Sequence, residues 1–165
     1  MRGQKELYDK LDELGIKYRY REHPAVATIA EATVYWKDID SGRCKNIFLR
    51  NHKGNRHYLV ILEHLCNLNI KDLEQKLGQG KLSFASEKRL MKYLGLKPGS
   101  VSPFGLINDT EKHVHLFIDK KLLAFDNLSF HPNENTASLV ISRLDFIRFL
   151  ENQGNTFEFI SLYED

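Results

Sequence analysis

Three groups of residues carry the chemical potential of this chain. The first is Lys45, at the head of the apolar run Cys44-Lys-Asn-Ile-Phe-Leu-Arg50. A lysine there offers a point charge to a phosphate or a polarised ester, without the planar demands of arginine. It also reads as an ordinary strand-end lysine in solvent. Asn46 follows it. Adjacent strand residues point to opposite faces, so both serve one site only if the strand end bends or Asn46 acts through its backbone. The second is His131, in Phe130-His-Pro-Asn-Glu-Asn-Thr136. A histidine where a strand runs into a turn can orient a water or bond a hydroxyl, or can simply hold nearby backbone. Asn133, Asn135 and Thr136 suit an Asx-type turn. The third is the stretch Leu96-Lys-Pro-Gly-Ser-Val-Ser-Pro-Phe-Gly-Leu-Ile-Asn108. Pro98 and Pro103 fix φ, while Gly99 and Gly105 allow close approach. Such a loop is either a tight helix-to-strand connector or a source of rigid backbone N–H donors for a developing oxyanion. If the loop faces a ligand, Gly99 would be its catalytic element, and Ser100, Val101, Ser102, Pro103, Phe104, Gly105 and Asn46 the substrate contacts.

Rival chemistries are visible too. His113-Val-His115 has spacing that projects two histidines to one strand face, where with His131 they would suit a metal-dependent hydrolase. No carboxylate or thiol nearby offers an obvious third ligand. Cys44 has basic neighbours that would lower its pKa, but neither it nor Cys66 has an assignable histidine partner. Asp109 reads as a turn residue. The chain contains no P-loop, dinucleotide fingerprint or Gly-x-Ser-x-Gly elbow.

These groups sit in a 165-residue chain, 42% hydrophobic, with a net charge of +2. That is one domain's worth, taken as residues 1–165, with material for a sizeable core. No apolar run is long enough to span a membrane, and the N-terminus leads straight into an amphipathic pattern without a secretory h-region. Two cysteines make no disulfide framework, so reduced thiols in the cytoplasm are expected. The charge is unevenly spread. Residues 41–62 hold five bases and no acid, and residues 119–165 hold eight acids against four bases. The basic stretch is a candidate footprint for phosphates, or a solvated face.

The elements that must position these residues follow from periodicity and punctuation. Leu7, Leu11 and Leu14 predict a helix stopped by Gly15. Tyr18 to Glu22 alternates like a strand, and Thr28-x-x-Glu31 opens a short helix to about Lys37. Lys45 to Asn51 and Arg56 to Glu63 predict a hairpin. Helices are expected over Asn69 to Leu77, from a Ser86 cap to Gly95, and from Ser142-x-x-Asp145 to Gly154. The last buries either Leu144, Ile147 and Leu150 or Phe146 and Phe149. Strands are expected at His113 to Asp119, Asn127 to His131, Thr136 to Ile141 and Thr156 to Ser161. Irregular alternation with hairpins predicts an α+β fold with a mixed sheet flanked by helices.

Four segments, in order, resemble the YbaK/ProX family of freestanding prolyl-tRNA editing deacylases. They are His23-Pro24 with Thr28-x-x-Glu31-Ala32, Cys44-Lys-Asn-Ile-Phe-Leu-Arg50, the glycine–proline loop above, and Asn127-Leu-Ser-Phe-His-Pro-Asn-Glu-Asn-Thr136. The resemblance runs from about Leu7 to Phe159, and the variants are most similar to the branch that removes alanine from tRNA(Pro). It implies a strongly curved mixed sheet with peripheral helices and no cofactor. It implies that Lys45 anchors the acceptor end of a mischarged tRNA(Pro), that the Gly99 loop walls the pocket, and that His131 lines it. Prolyl-tRNA synthetase is a further expected partner. A non-catalytic tRNA-binding or synthetase-associated module of the same fold is the alternative.

Overall fold

The computed structural model describes residues 1–25 and 41–162. The helix expected from Thr28 to Lys37 lies outside them. Helix α1 (Lys5–Glu13) buries Leu7, Tyr8 and Leu11 on one side and gives way at Gly15, whose φ of 68° is open to glycine. Strands β1 (Arg19–Glu22), β2 (Gly42–Asn51) and β3 (His57–Glu63) follow. The turn between β2 and β3 is organised by Asn51, whose Oδ1 accepts from the N–H groups of Asn55 and Arg56. Then come α2 (Ile70–Leu77), β4 (Leu82–Phe84) and α3 (Glu87–Leu94). Asn69 and Ser86 cap the two helices with their side-chain oxygens, and Gly78 and Gly95 end them in the left-handed conformation. Strands β5 (His115–Asp119), β6 (Asn127–Phe130) and β7 (Ala137–Ser142), helix α4 (Arg143–Gln153) and strand β8 (Phe157–Ile160) complete the described chain. Helix α4 turns Phe146, Phe149 and Leu150 inward and leaves Leu144 exposed, which decides between the two expected stripes.

Among the described residues the strands form one sheet in the order β1-β7-β6-β2-β3-β5-β8, with β4 also on β2. It is mixed: β2 is parallel to β6 and antiparallel to β3, and β3, β5 and β8 run parallel. Both faces are covered. Leu59 and Ile61 of β3 join a core with Phe104, Phe130, Phe146 and Phe149. Tyr58, Val60 and Leu62 join a second with Leu49, Leu73 and Phe117. Burial on both sides explains why Tyr58 to Leu62 is continuously apolar rather than alternating. Phe104, fully buried, meets Phe130 and Phe149 edge-on at 5.7 and 5.2 Å. Truncating such a ring costs about 3–5 kcal/mol.

Two sequence expectations are corrected. The strand predicted from His113 starts at His115, because the Asp109 carboxylate takes the N–H groups of His113 and Val114 out of any ladder. The segment Pro103–Asn108 is not an irregular loop but a 3-10 helix, capped by the Ser102 hydroxyl on the Phe104 N–H.

Candidate active site

The site is set by a change of partner along one strand edge. Strand β2 pairs with β6 only at Gly42 and Arg43, and with β4 only at Leu49–Asn51. Between them, Cys44 to Ile47 makes no ladder on that edge among the described residues. Lys45 stands two residues past the last β2–β6 pair, Arg43↔Ser129, on the β2 side, and His131 two residues past it on the β6 side. The alternation that turns Phe48 into the core sends Lys45 to the opposite side, and His131 follows directly after β6. Asn46 points the other way, opposite Ile61, as alternation requires. The Asn46 Oδ1 is buried with no hydrogen-bond partner among the described residues. An open buried acceptor beside an unpaired strand edge suits a donor on a ligand.

Lys45 is half-buried, and its Nζ donates to the Cys66 carbonyl at 2.8 Å. An ammonium carries three donors, so two stay open. Its partner is neutral, so the full positive charge is held in place without being cancelled.

His131 is fixed by the start of β7. Its Nδ1–H donates to the Ala137 carbonyl at 2.8 Å, and Nε2, an acceptor in that tautomer, takes no partner among the described residues. Burial, with His23 beside it, holds its pKa below the usual histidine range, so the ring is neutral near pH 7. His23 stands behind it at 5.9 Å between ring centroids. His23 donates from Nδ1 to the Pro24 carbonyl and accepts at Nε2 from the buried Ser138 hydroxyl at 2.8 Å. The sequence pointed to His23 only as part of a motif; nothing in its spacing indicated the Ser138 contact.

The glycine loop divides in two. Gly99 is exposed, with φ at 86°, and a Cβ there would sit 3.3 Å from the Asn135 amide, so the loop lies against the His131 turn. The N–H of Ser100 closes a turn on the Lys97 carbonyl, so it is not an available donor. Those of Gly99, Val101 and Ser102 take no partner among the described residues. Ser102, Pro103, Phe104 and Gly105, expected as substrate contacts, are buried instead. The Ser102 hydroxyl caps the 3-10 helix, Phe104 fills the core, and a Cβ on Gly105 would meet Leu96 at 2.7 Å. Their side chains build the support of the loop rather than its face. Gln4, which the sequence did not single out, ties that support to the His131 turn. Its amide bonds Asn108 at 2.7 Å and accepts from Asn133 at 2.9 Å.

The rival chemistries lose their geometry. His115 packs on Phe117 and bonds Thr156 and Glu158, while His113 leaves with His57, so the two do not face one point. Burial raises both thiols, Cys44 most strongly, so the expected lowering at Cys44 is reversed and neither is a ready nucleophile. Asp109 is the turn residue expected, buried and bonded to two backbone N–H groups and Asn155.

Residues 23–149 match the family model of the aminoacyl-tRNA editing domain. The chain is 44% identical over 153 residues to the prolyl-tRNA editing protein ProX of Acetoanaerobium sticklandii, covering 93% of each. It is 33% identical to prolyl-tRNA synthetase associated domain-containing protein 1 of Danio rerio, over 92% of this chain and 83% of that one. In fold it is similar to a crystal structure described as a candidate trans-editing enzyme for prolyl-tRNA synthetase, with a TM-score of 0.67 at 17% identity, covering 96% of this chain and 98% of the other. No helix among the described residues is long and apolar enough to cross a membrane. A mixed sheet whose ladder opens beside an uncancelled lysine and a neutral histidine, and a family model spanning most of the chain, give one conclusion: this chain belongs to the aminoacyl-tRNA editing domain family.

Proposed function

We propose that residues 1–165 act as one editing domain that hydrolyses the ester joining a wrongly attached amino acid to the 3′ end of tRNA(Pro), and that this amino acid is alanine. The observation that carries the reading is the pairing of a held but uncancelled ammonium, Lys45, with a histidine whose Nε2 is open, at the point where β2 and β6 part.

An aminoacyl ester is already activated, so positioning and charge stabilisation can supply most of the rate. Lys45 anchors the phosphate of the terminal nucleotide. The open N–H groups around Gly99 face the ester carbonyl and stabilise its oxygen as it becomes an oxyanion. Water adds to the carbonyl carbon, the ester C–O bond breaks, and the ribose oxygen leaves with a proton to give free amino acid and tRNA. His131, as a neutral acceptor, orients that water or a ribose hydroxyl. Asn46, with its open oxygen, receives the α-ammonium of the amino acid. A synthetase discriminates poorly against a side chain smaller than its own, and a second, tighter sieve corrects that error.

The body of the tRNA meets the tip of the β2–β3 hairpin. A groove of about 410 Å³ there is lined by His52, Lys53, Arg56 and Lys81 and contains no acid. Prolyl-tRNA synthetase, which makes the mischarged product, is the natural second partner.

The test is hydrolysis of Ala-, Cys- and Pro-tRNA(Pro) by the purified protein, with and without a chelator. Turnover of the alanyl ester, indifferent to chelator and absent for the prolyl ester, supports the proposal. No turnover of any substrate would make the protein a binding module, and loss with chelator would return the histidines to a metal.

A further inference from the structure

The carbonyl that holds Lys45 belongs to a turn with a builder of its own. Residues 63–66 leave β3 and fold back, with the Cys66 N–H on the Glu63 carbonyl at 3.0 Å and the His64 N–H on the Arg43 carbonyl at 3.0 Å. The Glu63 carboxylate occupies the inside of this turn. One oxygen lies 2.7 Å from His64 Nδ1, whose hydrogen bond goes to the Arg43 carbonyl at 3.2 Å, and the other accepts from the Leu65 N–H at 3.0 Å. Both side chains are largely shielded, while Leu65 points into solvent. The carboxylate therefore fixes where the Cys66 carbonyl aims, and the carbonyl fixes Lys45.

The arrangement answers a physical problem. A lysine meant to hold a phosphate must be fixed, because its flexible stem loses considerable rotamer freedom on binding. Fixing it with a carboxylate would cancel the charge it needs. Glu63 directly follows Leu62, the cross-strand partner of Lys45, and itself pairs with Cys44, yet one of its oxygens takes the Leu65 N–H and the other lies against the His64 ring. No carboxylate among the described residues is ion-paired with Lys45. A neutral dipole does the holding.

We propose that Glu63 is a positioning residue for Lys45: it builds the turn whose Cys66 carbonyl aims the ammonium while leaving its charge uncancelled. This rests on the reading of Lys45 as the phosphate anchor. Glu63→Gln keeps an oxygen for the Leu65 N–H, whereas Glu63→Ala removes it. In deacylation of Ala-tRNA(Pro), Glu63→Ala raises KM and lowers kcat/KM about tenfold, as loss of part of a charge-assisted contact would, and Glu63→Gln stays within about twofold. In a Lys45→Ala background Glu63→Ala has no further effect, because the group it acts through is gone. The same loss in both backgrounds would overturn the proposal. A second measurement needs no turnover. The Lys45 side-chain ammonium, observed by ¹⁵N NMR and assigned by its disappearance in Lys45→Ala, is protected from exchange in the wild type and in Glu63→Gln. It joins the solvent-exposed lysines in Glu63→Ala, and an unchanged signal there would overturn the inference even if the variant were inactive. Wild-type turnover in Lys45→Ala would instead remove the anchor reading on which it rests.

Discussion

Two pairs of histidines in this molecule look alike and do opposite things. His23 and His131 lie beside the open edge of β2; His57 and His113 lie at the start of β3 and β5, next to Arg89 and Tyr93. In each pair burial lowers the pKa of one ring, His131 in the first and His57 in the second, where it falls to about 4. The difference is in what the nitrogens have left to offer. The Arg89 guanidinium donates to His57 Nε2 at 3.1 Å, so His57 carries its proton on Nδ1 and gives it to His113 Nε2 at 2.9 Å. Tyr93 stacks on both rings, 4.2 and 4.4 Å between centroids. Every position on His57 is occupied. His131 has one nitrogen engaged and one open. A perturbed pKa therefore marks a buried ring, and only the open valence marks a site.

The sharpest way to break this contrast is at the open region. Lys45→Ala is expected to lower kcat/KM for Ala-tRNA(Pro) on the order of 100-fold, the scale of one charged contact, with an unchanged melting temperature. Wild-type turnover would leave the parted strands without a role. Gly99→Val is expected to cost about tenfold or more in rate together with roughly 1–3 kcal/mol of stability, because φ is 86° and a branched side chain would press on Asn135. Unfolding with no loss of rate per folded molecule would make the loop a connector only.

The occupied region should respond in the opposite sense. His57→Ala is expected to lower stability by about 2 kcal/mol, since Arg89 and His113 lose a buried partner, while deacylation by the folded fraction stays the same. The pH dependence follows from the direction of the shift. The folded state disfavours protonated His57, so its contribution is intact above the unfolded pKa of 6.5 and is lost as pH falls from 6.5 towards 4. Over that window stability should fall by roughly 2 kcal/mol in the wild type, less in His57→Gln, as read by chemical denaturation. The smallest effect belongs to His131→Ala, about tenfold in rate, since no covalent step requires a strong base. The wild-type rate should be flat from pH 7 to 8 and decline below the usual histidine range, and a variant with that same profile would assign the decline elsewhere.

The sequence was informative wherever a local signal decides the structure. Ser86 and Ser142 cap helices where they were expected to, and Asn69 caps the helix expected to begin with it, because a cap needs only the next three residues. Strand β4 was not read: three residues have no period, and Leu82–Phe84 is a strand only because β2 offers an edge there. The resemblance to the family's glycine–proline loop puts Phe104 and Gly105 among the substrate contacts, whereas their burial against Leu96, Phe130 and Phe149 comes from packing that local composition does not reveal. Lys45 and His131 stood out by type and setting. What makes them useful, the Cys66 and Ala137 carbonyls, lies in contacts set by the fold.

Gln4 has a consequence for the order in which the molecule assembles. Its amide joins Asn108 and Asn133, 104 and 129 positions away along the chain. Loops of that length must close before either contact contributes, whereas the β2–β3 hairpin can form from neighbours. The β6–β7 hairpin that carries His131 pairs locally, but its tie to Gln4 exists only in a chain whose two ends have been brought together, so the active turn is guarded by one of the most distant contacts of the N-terminal segment.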